Sequence, residues 1–297
     1  QYAWNDAICG PSLKALPTIE IEDQMKRLSK VASKLLLFGF VITSSMASIS
    51  HAKAETLDSV SHIHHVKVVG SKVLVLTHEG LYELVGKNNM KLVGKEKIDV
   101  MGFVSLGNVL VASGHPAVGS KMPNPIGVIK SLDGGLTWNS VSLTGKVDFH
   151  FLEGLGSDLY GADSQTGKLM YSADSGVTWK TLGANTFTDI AVSPKKSGVA
   201  IAIKDSGLVL TQNAFKSTTK IKGTLTMTQI EWRKSGLYGL SGSSLYKSTN
   251  SGKTWTKQST FKGAPGLLSA SDELMLVTVG SDIYTSKNEG KSFRKIS

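Results

Sequence analysis

One eight-residue motif recurs along the chain and decides the fold. It reads Ser-Leu-Asp-Gly-Gly-Leu-Thr-Trp at 131–138, Ser-Ala-Asp-Ser-Gly-Val-Thr-Trp at 172–179, Ser-Thr-Asn-Ser-Gly-Lys-Thr-Trp at 248–255 and Ser-Lys-Asn-Glu-Gly-Lys-Ser-Phe at 286–293. A weaker copy, Thr-Gln-Asn-Ala-Phe-Lys-Ser, lies at 211–217, so successive copies begin 41, 39, 37 and 38 residues apart. A nearly constant period of this length indicates a repeat architecture.

The chemistry of the motif predicts a tight turn. Its hydroxyl and Asp or Asn side chains can bond nearby backbone N–H groups, and its glycine permits the positive φ that such a turn needs. The aromatic residue at the end is expected to pack onto the adjoining strands. We therefore predict a structural role for Ser131, Asp133, Gly135, Trp138, Ser172, Asp174, Gly176, Trp179, Ser248, Asn250, Gly252, Trp255, Ser286, Asn288, Gly290 and Phe293.

Each period also contains short apolar or alternating runs that are typical of β-strands. Counting these units from His62 gives six, at roughly 62–97, 98–144, 145–184, 185–223, 224–262 and 263–297. We predict an all-β fold, a six-bladed β-propeller of four-stranded antiparallel blades. The motif would form the turn between the third and fourth strands of a blade.

The N-terminal part carries the pattern of an export signal. A basic start at 25–30 precedes an apolar stretch at 35–42 and the small-residue sequence Ala52-Lys53-Ala54, the order found in secretory signal peptides. The predicted organisation is an over-extended or non-native 1–24, a signal peptide at 25–54, a short lead-in at 55–61 and one propeller domain at 62–297. We expect an exported monomer, secreted or held in the cell envelope or periplasm, without a transmembrane segment after cleavage.

Composition argues against several classes of function. The net charge is +10, but all basic side chains except Arg27, Arg233 and Arg294 are lysines. Recognition of DNA bases favours the planar, forked guanidinium group of arginine over lysine. Because the chain has so few arginines, we expect no nucleic-acid partner. The single cysteine, Cys9, precedes the repeats. This position excludes a disulfide framework, a cysteine zinc site and a thiol nucleophile in the propeller.

Polar residues concentrate where the innermost strands of the first three units begin. We predict a ligand-binding site there, formed by His62, His64, Met101, His115 and His150. His62 and His64 are two residues apart on a strand and are expected to share a face. With His150 they form a candidate site for copper or zinc, and a thioether from Met101 would favour Cu(I).

Carboxylates in the same region permit a different chemistry. Hydrolysis of a glycoside needs two carboxyl groups, one on either side of the scissile bond. Asp99, Asp148 and Asp189 are the candidate catalytic residues. Sialidases hold the substrate carboxylate with three arginines, and the propeller region has only two, Arg233 and Arg294.

The repeated motif resembles the Asp-box, or BNR, repeat of sialidase-like and sortilin-like β-propellers. The segments His62-x-His64, Thr77-His78-Glu79-Gly80-Leu81 and Ala112-Ser113-Gly114-His115-Pro116 are similar to an exported bacterial Asp-box family termed glycosylhydrolase. This resemblance implies the propeller more firmly than a reaction. Three functions remain open: an envelope or extracellular protein that binds a ligand or glycan at the channel mouth, a glycoside hydrolase, and a metal-binding propeller.

Overall fold

The structure, a computed structural model, describes residues 55–205, 207–223 and 225–297. Within these ranges the chain forms six antiparallel sheets with the strand order of propeller blades, which confirms the predicted six-bladed β-propeller. Segment 1–24 and the predicted signal peptide at 25–54 lie outside the described residues. Inside them, no helix has the length and hydropathy needed to cross a membrane.

The first three blades are built from consecutive antiparallel strands that run from the channel outwards. In chain order these strands are β1 (Glu55–Thr56), β2 (Ile63–Val69), β3 (Lys72–Thr77), β4 (Gly80–Leu84), β5 (Asn89–Leu92), β6 (Asp99–Leu106), β7 (Val109–His115), β8 (Val128–Ser131), β9 (Asn139–Ser142), β10 (Phe149–Leu155), β11 (Asp158–Asp163), β12 (Lys168–Ser172) and β13 (Lys180–Ala184). Blade 1 comprises β1 to β5, blade 2 comprises β6 to β9, and blade 3 comprises β10 to β13.

The last three blades have four strands each. These strands are β14 (Asp189–Val192), β15 (Ala200–Lys204), β16 (Gly207–Thr211), β17 (Thr219–Ile221), β18 (Gln229–Arg233), β19 (Gly236–Ser241), β20 (Ser244–Ser248), β21 (Thr256–Thr260), β22 (Pro265–Ala270), β23 (Met275–Val279), β24 (Asp282–Ser286) and β25 (Arg294–Lys295). The innermost strand of each blade contacts that of the next, and β22 of blade 6 contacts β2 of blade 1, so the ring is closed.

The predicted lead-in is more structured than expected. Within it, β1 pairs with the outer strand β5, where Glu55 lies opposite Met90, and a short 3₁₀ turn follows at Leu57–Ser59. Blade 1 therefore has a fifth strand that covers its outer edge. Covering an edge protects it from pairing with another chain.

The hydrophobic core is divided among the six interfaces between neighbouring blades. One cluster joins Leu76 of blade 1 to Phe103 of blade 2, and another joins Tyr82 of blade 1 to Leu276 of blade 6. These four side chains are at most 2% exposed. The seam between the first and last blades is closed by such packing, and no strand of the described chain is shared across it.

The repeated motif forms the expected turns, in which side chains bond the backbone. Ser131 Oγ accepts a hydrogen bond from Gly135 N at 2.7 Å, and Asp133 Oδ1 accepts one from Thr137 N at 2.9 Å. Gly135 has φ +96°, and a Cβ there would lie 2.9 Å from a methyl group of Leu81 in the preceding blade. The turn therefore requires glycine both for its backbone angle and for close packing between blades.

The weak copy at 211–217, in blade 4, makes the same bonds. Thr211 Oγ1 accepts a hydrogen bond from Phe215 N at 2.8 Å, and Asn213 Oδ1 accepts one from Ser217 N at 3.0 Å. Phe215 takes the place of the glycine at φ +59°. The predicted role of the motif as a turn holds even where its sequence has diverged.

The turns that contain Asp are expected to be sensitive to acid. Hydrogen bonds from Thr137, and then from Ser131, lower the pKa of Asp133 from 3.8 to about 2, and those from Thr178 lower the pKa of Asp174. A depressed folded-state pKa adds stability above the unfolded value, and this stability is lost as the pH falls through the folded pKa. Between pH 4 and pH 2 we therefore expect the melting temperature of the native chain to fall more steeply than that of the Asp133→Asn, Asp174→Asn double variant.

The substitution follows a pattern already present in the molecule. Asn250 accepts from Thr254 N at 2.9 Å and donates through Nδ2 to Thr254 Oγ1 at 2.8 Å, so asparagine supports the same turn without a titrating group. Thermal unfolding followed by circular dichroism measures the effect. Parallel melting curves for the two proteins over this pH range would contradict the assignment.

Candidate functional site

One mouth of the central channel is shaped by β-bulges in the innermost strands of blades 1, 2, 3 and 6. In blades 1, 2 and 3 the innermost strand has one residue without a partner on the second strand, namely His64, Met101 and His150. The corresponding pairings in blades 4 and 5 are unbroken, whereas in blade 6 Gly266 and Leu267 lie opposite the single residue Thr278. Bulges re-aim side chains and are enriched next to functional sites. The bulge residues are three of the five predicted to bind a ligand.

The first histidine cluster consists of His64, His78 and Asp99 and joins blade 1 to blade 2. His64 Nε2 lies 2.9 Å from Asp99 Oδ1, and His78 Nδ1 lies 3.0 Å from Asp99 Oδ2. The two ring nitrogens are 3.3 Å apart. Each of these ring nitrogens carries at most one hydrogen, which it can donate in only one of its two contacts. A cation between them could be contacted by one donor atom from each of the three side chains.

Burial favours the neutral state of His64 in this cluster. Its side chain is 7% exposed, and desolvation lowers its pKa although the nearby Asp99 carboxylate opposes the shift. A neutral imidazole is the form that binds metal ions. The ring of His62 lies alongside, with its centroid 4.9 Å from that of His64 and 5.3 Å from that of His78. His62 is thus a neighbour of the cluster.

The second histidine cluster consists of His115, Asp148 and His150 and joins blade 2 to blade 3. Asp148 Oδ2 lies 2.8 Å from His150 Nε2 and 3.4 Å from His115 Nε2. The side chains of His115 and His150 are 34% and 44% exposed, whereas that of Asp148 is 6% exposed. Two accessible imidazoles therefore face a buried carboxylate.

Further polar groups orient the second histidine cluster. Ser164 Oγ donates to Asp148 Oδ2 at 2.7 Å, and His115 Nδ1 lies 2.9 Å from Asn124 Oδ1. An imidazole that donates from Nδ1 to this amide oxygen presents a lone pair at Nε2, towards Asp148. Asp148 Oδ1 is buried and has no hydrogen-bond partner among the described residues. The carboxylate thus keeps bonding capacity that its protein neighbours do not use.

The two clusters are direct neighbours in the sheet of blade 2. Asp99, from the first, and His115, from the second, are paired residues on the antiparallel strands β6 and β7. Paired residues on such strands have Cα atoms about 4.5–5.5 Å apart. His78, His115 and Ser164 occupy equivalent positions at the ends of the second strands. Both clusters are therefore built from the same three positions of the repeat, namely the bulge residue, the start of an innermost strand and the end of a second strand.

Charged side chains fill the channel below the mouth. Lys67 forms an ion pair with Glu153, and Arg233 forms one with Glu231 at 3.0 Å. Burial raises the pKa of Glu231, although Arg233 opposes this shift. The cavity that these residues line has a volume of about 30 Å³, close to the space of one water molecule. A sugar does not fit there, so a larger ligand would have to bind at the mouth.

The third predicted carboxylate, Asp189, bonds to backbone amides. It is 6% exposed and accepts hydrogen bonds from its own neighbour Ile190 N at 2.9 Å and from Ile230 N in blade 5 at 2.7 Å. Burial, together with the nearby Glu153, raises its pKa well above the ordinary value. The bond to Ile230 joins blade 4 to blade 5, so a structural role accounts for Asp189.

Solved structures resemble this chain in fold. The GH74 enzyme of Niastella koreensis matches with a TM-score of 0.55 and 15% identity over 82% of this chain and 38% of that chain. PorZ, a surface component of the type-IX secretion system of Porphyromonas gingivalis, matches with a TM-score of 0.54 and 13% identity over 81% of this chain and 33% of that chain. The GH74 xyloglucanase of Xanthomonas campestris matches with a TM-score of 0.52 and 13% identity over 82% of this chain and 46% of that chain.

These similarities concern the β-propeller alone, because the identities are low and the chain spans less than half of each of these proteins. No protein-family model matches the chain. No curated protein matches it either. Membership of the Asp-box family therefore stays a prediction.

The predicted site residues are gathered at the mouth, but in different groups from those expected. His62, His64 and His150 were the predicted metal ligands, and the structure places His64 and His150 in separate clusters because blade 2 lies between their blades. Met101 occupies the bulge of blade 2. Ser164 was not predicted, and its only sequence signal is its position, equivalent to that of His78.

Proposed function

We propose that this protein is an exported metal-binding β-propeller whose first histidine cluster holds a divalent ion of the zinc class. The spacing of the donor atoms in that cluster carries the proposal. Zinc binds imidazole nitrogen and carboxylate oxygen at about 2.0–2.2 Å, so two ligands of a tetrahedral ion lie about 3.3 Å apart. His64 Nε2 lies 2.9 Å from Asp99 Oδ1, and His78 Nδ1 lies 3.0 Å from Asp99 Oδ2. The two nitrogens are 3.3 Å apart.

The chemical types of the donors support the same class of ion. Two imidazoles and one carboxylate suit Zn²⁺, Ni²⁺ and Cu²⁺, whereas Cu(I) favours sulfur ligands. Two of the three donors, His64 and Asp99, lie on innermost strands of the closed ring, and His78 directly follows β3. A rigid set of ligands limits the conformational entropy that binding costs. The exported location rests on the signal-peptide pattern at 25–54.

The arrangement of the carboxylates favours this proposal over a glycoside hydrolase. Asp99 and Asp148 are engaged by imidazoles, and Asp189 by backbone amides. The catalytic pair of a hydrolase needs carboxyl groups that are free to face the substrate from both sides of the bond. Glycan binding at the mouth would require none of these histidine–aspartate contacts.

The test is zinc binding by the full chain, made without a polyhistidine tag and stripped with a chelator. Competition with a chromophoric chelator measures the dissociation constant, and mass spectrometry measures the bound metal. We expect Asp99→Asn and His78→Ala each to weaken binding at the first cluster by more than the roughly 10- to 100-fold caused by changes outside the ligand shell. His78 is 48% exposed, so its replacement leaves the fold intact.

Asp272→Asn is the matched control, because it removes one exposed carboxylate from a turn at the opposite mouth of the channel. It should bind zinc as the native chain does. Copper is titrated in parallel, since it competes for the same donors. If Asp99→Asn and His78→Ala both retain native affinity for zinc and for copper, the proposal is wrong.

A further inference from the structure

We infer that the second histidine cluster is a separate metal site with an open coordination position that takes a small anionic ligand. The inference rests on the proposed function for the class of ion, but it uses different residues. His115, Asp148 and His150 supply three donor atoms that lie within 4.8 Å of one another. Three protein ligands with a fourth position left for water or substrate characterise catalytic zinc sites, whereas structural sites have four.

The two clusters differ in what stands beside them. At the first cluster, the ring centroid of His62 lies 4.9 Å from that of His64. Rotation of the His62 side chain could therefore supply a fourth protein ligand. At the second, the outer groups are Ser164 and Asn124, and both already bond to ligands of the cluster. Such contacts fix ligand orientation and leave the ion's remaining position free.

The second histidine cluster is also more accessible to solvent than the first. His64 is 7% exposed in the first cluster, whereas both imidazoles of the second are at least 34% exposed. An ion held by the second cluster would therefore present its open position towards the channel mouth. The polypeptide between β7 and β8, which carries Asn124, borders that position.

Charge selects the kind of ligand that would bind there. A divalent ion with two neutral imidazoles and one carboxylate has a net charge of about +1, and so does the ion of the neighbouring first cluster. Two adjacent positive centres favour an anion in the open position. A carboxylate, a phosphate or a hydroxide has the required charge and can bind the ion through one oxygen.

The orphaned oxygen of Asp148 is consistent with this arrangement. A buried carboxylate oxygen without a partner is costly. The unpartnered atom is Oδ1, whereas the imidazoles contact Oδ2, so an ion held by both oxygens of Asp148 would supply the missing interaction. The lone pair that His115 directs at the same carboxylate is stabilised by an ion in the same way.

The experiment uses Co²⁺ as a coloured substitute for zinc and azide as the anionic probe. The full-length native chain is expected to bind two equivalents of Co²⁺, and azide should shift the visible absorption of one of them. His150→Ala should bind one equivalent and lose the response to azide. His78→Ala should also bind one equivalent but keep the whole response.

Each variant tests one site, so the two proposals fail separately. If His150→Ala keeps both the second equivalent and the azide response, the open site is wrong. The same conclusion follows if the second Co²⁺ binds in the native chain but its spectrum ignores azide up to 100-fold excess over the protein. If His78→Ala binds as much Co²⁺ as the native chain, the proposed first site fails while the second stands.

Discussion

Replacement of Lys67 by methionine is expected to lower the free energy of unfolding by about 3–5 kcal/mol, the usual cost of removing one partner from a buried ion pair. The Lys67 side chain is 18% exposed and pairs with Glu153 inside the channel. Burial alone would lower the pKa of Lys67, but Glu153 and Glu231 hold it above the ordinary value. Methionine fills similar space and leaves those carboxylates without their shared cation.

The loss should depend on pH in a defined direction. Lys67 lowers the pKa of Glu231, which burial raises, so the variant raises that pKa further. A folded-state pKa above the unfolded value penalises the ionised state, and protonation removes the penalty. We therefore expect Lys67→Met to be more destabilising at pH 8 than at pH 5, as measured by urea denaturation.

Two controls separate the buried pair from general effects of losing a lysine. Lys72 pairs with Glu83 at 2.9 Å but is 60% exposed, so Lys72→Met should cost at most about 1 kcal/mol. In the double variant Lys67→Met, Glu153→Gln, part of the loss should be recovered, by about 1–3 kcal/mol, because the two residues interact. A loss in Lys67→Met no larger than that in Lys72→Met would show that the channel network is solvated.

Replacement of Gly114 by alanine should damage both stability and metal binding. Gly114 lies opposite the bulge of blade 2 at φ +145°, and a Cβ there would lie 2.1 Å from the carbonyl oxygen of Asp99 and 2.9 Å from the amide nitrogen of Met101. These are backbone atoms, so the strand itself must move. We expect a loss of about 3 kcal/mol and a weaker zinc affinity at the first histidine cluster, because Asp99 is displaced.

Gly119, in the connection that follows β7, provides a matched control. It has φ +80°, but a Cβ there meets no atom within 4 Å. Gly119→Ala should therefore cost only the backbone strain, about 1 kcal/mol, and should leave zinc binding unchanged. Urea denaturation and zinc competition are measured on both variants. Native zinc affinity in Gly114→Ala would show that the backbone at Asp99 does not position the ligand.

The fold was predictable because the repeated turn fixes its own conformation through local bonds. Ser131, Asp133 and Gly135 each have a role that their chemistry reveals without knowledge of distant residues. Five copies of such a turn at a nearly constant period leave little choice of architecture.

The candidate site was only partly predictable, because its grouping depends on contacts between blades. The residue types at the innermost strands indicated His64, His115 and His150 as ligands. A regular strand, however, has no bulge, and the spacing of residues in the sequence does not show that Asp99 reaches the histidines of blade 1. The pairing of Lys67 with Glu153 joins blade 1 to blade 3 and is likewise invisible in either segment alone.

The bulges of blades 1 to 3 have a consequence for how such a ring acquires new chemistry. A bulge adds one residue to one strand, and the pairing on either side of it continues. A single inserted or deleted codon can thus add or remove a binding group without rebuilding the blade. Blades 4 and 5, which lack the bulge, supply continuous ladders that hold the circle in shape. This chain thereby places its histidine clusters in blades with interrupted innermost strands and keeps two blades with continuous ladders.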